Sequence, residues 1–322
     1  MRITFYHSTR FIIGMILCVS IAACSSGGKK SGSADSGTIS ISGAFALYPM
    51  TSKWVEEFQK QYPKIRVDVS AGGAGKGMTD ALARMVDLGM FSREVSEAEA
   101  ARGAWKIAVT KDAVLCTIHS DNPALAQLKS RGMKKADFQR IFLSDTAHKW
   151  SEIYPEVVAD MHVFTRSDAC GAAEIWGKYL GKNQESLKGI GVFGDPGMAD
   201  AVKKDRLGIG YNNVGYTYDA ATRKKLTGME IVPIDINEDG QISADENIYE
   251  TLDQVMAGIA DGKYPSPPAR PLYFVANDKP EKKEVILFLK WILTEGQKYV
   301  GEAGYVQLSP EMIREQLDKL KD

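Results

Sequence analysis

Three turns in the chain place glycine at the start of a helix-like run, and all three suit an oxyanion. They are residues 70–77 (SAGGAGKG), 165–172 (TRSDACGA) and 193–197 (FGDPG). Glycine lets backbone approach a ligand closely. The first turn of a helix presents N–H groups that have no intrahelical acceptor, at the positive end of its dipole. The same layout also serves plain tight packing at a strand-to-helix corner. The first turn is not a nucleotide P-loop: Gly77 follows Lys76 where Ser or Thr is needed, and Ser70 stands where that motif has glycine. The spacing of a dinucleotide fingerprint fails as well.

A second constellation runs from Asp235 to Glu246 (DINEDGQISADE). Asp235, Asn237, Asp239, Gln241 and Ser243 occupy the first, third, fifth, seventh and ninth positions of a twelve-residue calcium loop, with Gly240 sixth, Ile242 eighth and Glu246 twelfth. The expected role is a structural Ca2+ ion. The alternative is an acidic Asx-turn, since a strand rather than an entry helix precedes the loop and no partner loop exists. Enzyme chemistry has less to stand on. There is no Ser-His-Asp set, and His119, His148 and His162 lie on separate segments.

The N-terminus carries Arg2 and Arg10, then an apolar stretch over residues 11–21, then Ile21-Ala22-Ala23-Cys24. The stretch is too short for a bilayer span, which takes about 20 residues. Small residues directly before Cys24 resemble the lipobox of bacterial lipoproteins, in which the cysteine is lipidated. Residues 25–37 follow as a Ser/Gly/Lys tether, a composition that stays solvated. The expectation is a signal peptide over 1–23, a lipid anchor at Cys24 and a tether over 24–37. Net charge is −1, and loss of Arg2 and Arg10 leaves about −3, so no basic field invites nucleic acid. Cys116 and Cys170 could pair in an oxidising compartment or sit apart as small buried hydrophobes.

From residue 38 the pattern alternates strands and helices, which predicts an α/β sheet with crossover helices. Strands are expected at 38–42, 65–69, 86–90, 161–164, 209–212, 231–234 and 272–275. Helices are expected from Pro49, at 78–85, 94–102, 172–180, 198–204, 248–260 and 284–297, with Ser309-Pro310-Glu311 opening the last. The run 107–119 is long enough to carry the chain from one lobe to another. About 300 residues beyond the leader suit two lobes better than one core.

The ordered set Gly43 to Phe58, the 70–77 turn, Val86-Asp87-Leu88-Gly89-Met90-Phe91-Ser92-Arg93, Arg166 to Gly171 and Gly208-Ile209-Gly210-Tyr211 resembles phosphate ABC-transporter substrate-binding proteins. The resemblance is closest to the lipoprotein branch typical of Bacteroidetes, which shares Tyr264-Pro265-Ser266-Pro267-Pro268-Ala269-Arg270. It implies a two-lobe periplasmic-binding-protein fold (type II), each lobe a mixed sheet flanked by helices, closing on inorganic phosphate. Lobe I would comprise 38–114 and 267–322, and lobe II 115–266. The partners implied are phosphate and an ABC permease in the inner membrane, the place is the cell envelope, and the state is a monomer. Another oxyanion, or a sensor on the same fold, is the alternative.

Site residues carry over position by position. Ala46 and Leu47 match a loop that normally gives a hydroxyl and an N–H, with Ala44 and Ala46 replacing Ser or Thr. Gly73, Ala74 and Gly75 match the N–H donors at a helix start. Ser92 takes the place of a carboxylate that accepts a proton from phosphate in some relatives, and Arg93 belongs to a Ser-Arg variant. Arg166 matches the phosphate-binding arginine, with Asp168 as its orienting partner or the missing proton acceptor. Cys170 and Ala172 replace Ser and Thr around a retained Gly171. Lys76 is expected to face solvent.

Overall fold

The computed structural model describes residues 36–145 and 148–321. The leader, Cys24 and most of the tether lie outside the described residues. The chain runs β1 (Gly37–Gly43), α1 (Tyr48–Gln61), β2 (Ile65–Ala71), α2 (Ala74–Leu82), β3 (Leu88–Phe91), α3 (Glu97–Ala100), β4 (Ala104–His119), α4 (Leu125–Arg131) and α5 (Lys135–Phe142). It continues with β5 (His148–Lys149), β6 (Asp160–Arg166), α6 (Gly171–Tyr179), β7 (Ile190–Val192), α7 (Gly194–Lys204), β8 (Gly208–Asn213) and β9 (Met229–Ile231). The last elements are α8 (Leu252–Ala260), β10 (Ala269–Asn277), α9 (Lys283–Leu293) and α10 (Pro310–Asp318).

One strand ties the two halves together. β4 pairs antiparallel with β10 along residues 104–113, then with β8 along 114–118 and β9 along 117–119. The strand path β2-β1-β3-β10-β4-β8-β6-β5 is therefore continuous, with parallel pairing at β1–β2, β1–β3 and β6–β8. The apolar run that suggested a lobe-to-lobe crossing is this strand. Two cores lie on either side of it. One gathers Ile39, Trp54, Phe58, Phe274, Phe288 and Trp291; the other gathers Phe138, Phe142, Trp150, Trp176, Tyr211 and Tyr264. Along β4, Val109 belongs to the first core and Ala113 to the second; along β10, Leu272 belongs to the first and Ala269 to the second.

Several elements begin where the sequence pattern does not place them. α2 starts at Ala74 rather than 78, because its first turn is built from Ala, Gly and Lys and carries no apolar stripe. α7 likewise starts at Gly194, with Pro196 in its first turn. α8 starts at Leu252 instead of 248: Thr251 caps it, its side chain accepting from Gln254 N, and Ile248 and Tyr249 pack into the core ahead of the helix. The polar helix over 94–102 shrinks to α3, capped by Ser96, because Glu94 is drawn out to Lys106 and Tyr273. β9 covers 229–231, while Ile234 makes a separate bridge to Met133. The short helices α4 and α5 have no counterpart in the sequence expectations.

Gly77 explains how α2 reaches the sheet. A Cβ there would lie 2.4 Å from Met90 O, so only glycine lets the helix lie against β3 and aim its first turn along the sheet's C-terminal edge.

Candidate functional site

The carboxyl ends of β1, β3 and β6 meet the starts of α2, α6 and α7 at one place, where lobe I faces lobe II. The lobes touch. Gly75 N donates to Ala169 O at 3.4 Å, Tyr216 OH donates to Phe45 O at 3.3 Å, and the rings of Phe45 and Phe193 stand edge to face at 6.3 Å. A Cβ on Gly171 would lie 2.5 Å from Ser92 O, so glycine is required for this approach. Gly73 precedes α2 at φ +88°, a conformation that favours glycine.

Arg166, the last residue of β6, is buried in this junction. Its Nε and Nη2 donate to Asp168 Oδ1 and Oδ2 at 2.8 and 2.7 Å, and its Nη1 donates to Asp195 Oδ1. A guanidinium has five N–H groups, so two remain, one on each terminal nitrogen. Burial works against the Arg166 charge, and the hydrogen bonds and fields of Asp168 and Asp195 outweigh it, holding the group above its ordinary pKa. Burial pushes Asp168 up, but its bonds with Arg166 win, and it sits below the usual carboxylate range. Gly194 N also donates to Asp168 Oδ1 at 3.1 Å. Asp168 thus has its oxygens filled by the arginine and the start of α7, which is the orienting arrangement.

Asp195 has the opposite balance. It is buried in the first turn of α7, and burial raises its pKa more than Arg166 and Arg270 lower it. Asn213 Nδ2 donates to its Oδ2 at 2.8 Å. Sequence reasoning placed its turn but missed its reach. The parallel pairing of Arg166 with Val192 puts the start of α7 beside the arginine.

Two more buried charges complete the centre. Arg270, on β10, donates from Nε to Ser92 O at 3.0 Å and from Nη2 to Asn213 Oδ1, while its Nη1 has no partner. Asp112, on β4, lies 3.9 Å from Arg270 Nη2, and neither of its oxygens accepts a hydrogen bond. Burial pushes Asp112 up to about 6 and pulls Arg270 down. Asp112 had a sequence signal, a charge interrupting an apolar run. Arg270 had only its place in the proline-rich segment.

The remaining expected site residues divide. Gly171 and Ala172 occupy the first turn of α6, where N–H groups lack intrahelical acceptors, and Ala74 does the same in α2. Cys170 is the N-cap of α6, its Sγ accepting from Ala173 N at 3.3 Å; burial raises its thiol pKa to about 12. Cys170 and Cys116 are both free. Gln184, unforeseen, clamps this turn by accepting from Cys170 N and donating to Asp168 O. Gly73 N is already spent on Gly43 O at 3.1 Å, and Leu47 N on Ala44 O at 3.2 Å. Ala46 O accepts from Tyr305 OH. Arg93 is held by Glu99 through two bonds of 2.9 and 2.7 Å and stacks on Phe91. Lys76 is half-exposed and bound to Asp80, which also accepts from Ser42 Oγ at 2.6 Å.

Known proteins of the same build have this architecture. Residues 28–295 match the PBP superfamily domain. The phosphate-binding protein PstS of Methanocaldococcus jannaschii is 27% identical, across 94% of this chain and 92% of its own length. That of Staphylococcus saprophyticus is 23% identical across 94% and 90%. A Clostridium perfringens protein, classed as a phosphate ABC transporter substrate-binding protein and solved with bound phosphate, superposes with a TM-score of 0.68 at 19% identity, over 85% of this chain and 100% of its own. An ABC-type phosphate transport receptor from Vibrio cholerae superposes with a TM-score of 0.61 at 16% identity, over 84% and 100%. Fold, cleft and the family match over most of the sequence agree: the chain belongs to the PBP superfamily.

Proposed function

We propose that the protein captures inorganic phosphate between its lobes and delivers it to an ABC permease. The observation that carries this reading is the buried Arg166 fork, set where three helix starts converge from both lobes. A tetrahedral oxyanion can accept from several donors at once, and a guanidinium matches it bidentately. The names of the relatives and the phosphate bound in the Clostridium perfringens protein support the same ligand.

Ionised, the centre holds Arg166 and Arg270 against Asp112, Asp168 and Asp195, an excess of one negative charge. An entering anion must therefore meet a protonated carboxylate or displace one. Asp195 sits on the arginine and is raised by burial, so it is the group to move or to take a proton. A protonated Asp195 donates to the anion; an ionised one accepts from hydrogen phosphate, the role that Ser92 cannot fill. Sulfate offers no proton to accept.

The further parts of the reading concern place. Cys24 serves as the acylated residue, the tether spaces the lobes from the membrane, and the protein works outside the cytoplasm as a monomer. Acyl chains contribute about 0.8 kcal/mol per buried methylene, so more than one chain holds such an anchor stably. Among the described residues no helix is long and apolar enough to cross a membrane.

Calorimetry with phosphate, arsenate and sulfate tests the ligand. Heat with phosphate and arsenate that greatly exceeds that with sulfate is expected. Silence with all three ends the proposal, and a preference for sulfate transfers the site to another oxyanion.

A further inference from the structure

We propose that the loop from Asp235 to Glu246 is a calcium site that fastens lobe II, remote in sequence from the residues of the anion cleft. The side chain of Asp235 is buried, at 1% exposure. Its Oδ2 accepts from Gly240 N at 2.8 Å, which turns the carboxylate into the loop, and its Oδ1 has no hydrogen-bond partner. A buried carboxylate oxygen without a donor is costly, and a cation is a partner that would satisfy it.

The rest of the loop is laid out around that oxygen. Gly240 takes φ +81° at the sixth position, the sharp turn that a calcium loop needs. Ile242, at the eighth, donates its N–H to Ser130 O at 2.9 Å and packs its side chain against Gly132. The entry side is fixed by Asp235 N donating to Met133 O at 3.0 Å. These two ties hold both limbs of the loop on the end of α4 and the residues that follow it, where an EF-hand would use a partner loop. Glu246, at the twelfth position, is buried and folds back over the loop. Its Oε1 accepts from Ile236 N and Asn237 N, and its Oε2 from Ser243 N and Oγ.

Among the described residues no three acidic, His or Cys side chains already converge on one point. Asp239 is exposed and engaged with Asn237 Nδ2 and Gln241 N, at 3.1 and 2.8 Å. The ion therefore draws Asp239 and Glu246 off backbone donors, joining Asp235, Asn237, Ser243 and the Gln241 carbonyl. All are hard oxygen donors of the kind calcium takes in six- to eightfold coordination; magnesium demands a tighter octahedron and holds its waters.

The test uses the full chain, stripped with chelator in a phosphate-free buffer. Titrated CaCl2 is followed by calorimetry, and Tm is recorded with calcium, magnesium or EDTA. Calcium heat at one ion per chain and a Tm rising by several degrees are expected, with magnesium giving much less. Asp239→Asn, an exposed change that leaves the apo fold intact, should weaken calcium at least tenfold without moving the EDTA Tm. Asp235→Asn should abolish the calcium-dependent Tm shift. A Tm and a heat signal indifferent to calcium in the wild type, or an Asp239→Asn variant that binds as the wild type does, overturns the site.

Discussion

Arg166 donates from Nη1 to the buried carboxylate of Asp195. Asp168 takes the other edge at 2.8 and 2.7 Å. The arginine is thus held in place by one acid and covered by another, and the two acids differ in the sign of their pKa shift.

The covering acid should separate anions that carry a proton from those that do not. Asp195→Asn removes the accepting charge and keeps an oxygen for Asn213 Nδ2. Phosphate affinity at pH 8 is expected to fall about tenfold, equivalent to about 1.4 kcal/mol, while sulfate gains. Calorimetry reads this directly. Tighter phosphate binding would mean that Asp195 only competes with the anion and accepts no proton from it.

Binding should also tighten as pH falls from 8 towards 5.5. Asp112 titrates at about 6, so it is ionised at pH 8 and repels an anion, and protonation below 6 relieves that repulsion. Phosphate changes its own charge in this range, but that change is common to all variants. The Kd ratio between pH 8 and pH 5.5 should be about three- to tenfold smaller in Asp112→Asn than in the wild type, on the scale of one buried charge. Equal ratios would remove Asp112 from the site's electrostatics.

Closure depends on Gly171. With alanine there, a Cβ would lie 2.5 Å from the backbone oxygen of Ser92, so the lobes cannot meet as they do. Gly171→Ala is expected to weaken phosphate binding at least tenfold, and small-angle scattering with phosphate should give a larger radius of gyration than the wild type. A compact variant with full affinity would contradict this.

Lys76 and Cys24 make two contrasting controls. Lys76→Ala leaves the buried Asp80 with Ser42 alone, so Tm should fall while phosphate Kd changes less than threefold. Cys24→Ala should move the protein from the membrane fraction to the soluble one; unchanged partitioning without acyl label would end the anchor reading.

The alternation of strands and helices, the bridging strand β4 and the three glycine turns were legible in the sequence because each rests on local periodicity or on glycine. Helix starts made of Ala and Gly, as in α2, were not, since they carry no apolar stripe. The site divided the same way. Arg166 and Asp168 are two residues apart and could be read together. Asp195, Asn213, Asp112 and Arg270 join them only through the pairing of β6 with β7 and of β4 with β8 and β10. Arg93 entered the expected set through the resemblance alone; in the structure Glu99, six residues on, holds its fork.

Arg166 is the claim on which the account rests, and phosphate calorimetry on Arg166→Ala tests it most directly. The variant should bind about 2–4 kcal/mol more weakly, roughly thirtyfold to nearly a thousandfold, and Arg166→Lys should recover little because lysine lacks the fork. Circular dichroism should confirm that both variants are folded, since Asp168 and Asp195 lose a partner. A folded Arg166→Ala protein that binds phosphate as tightly as the wild type would place the anion elsewhere.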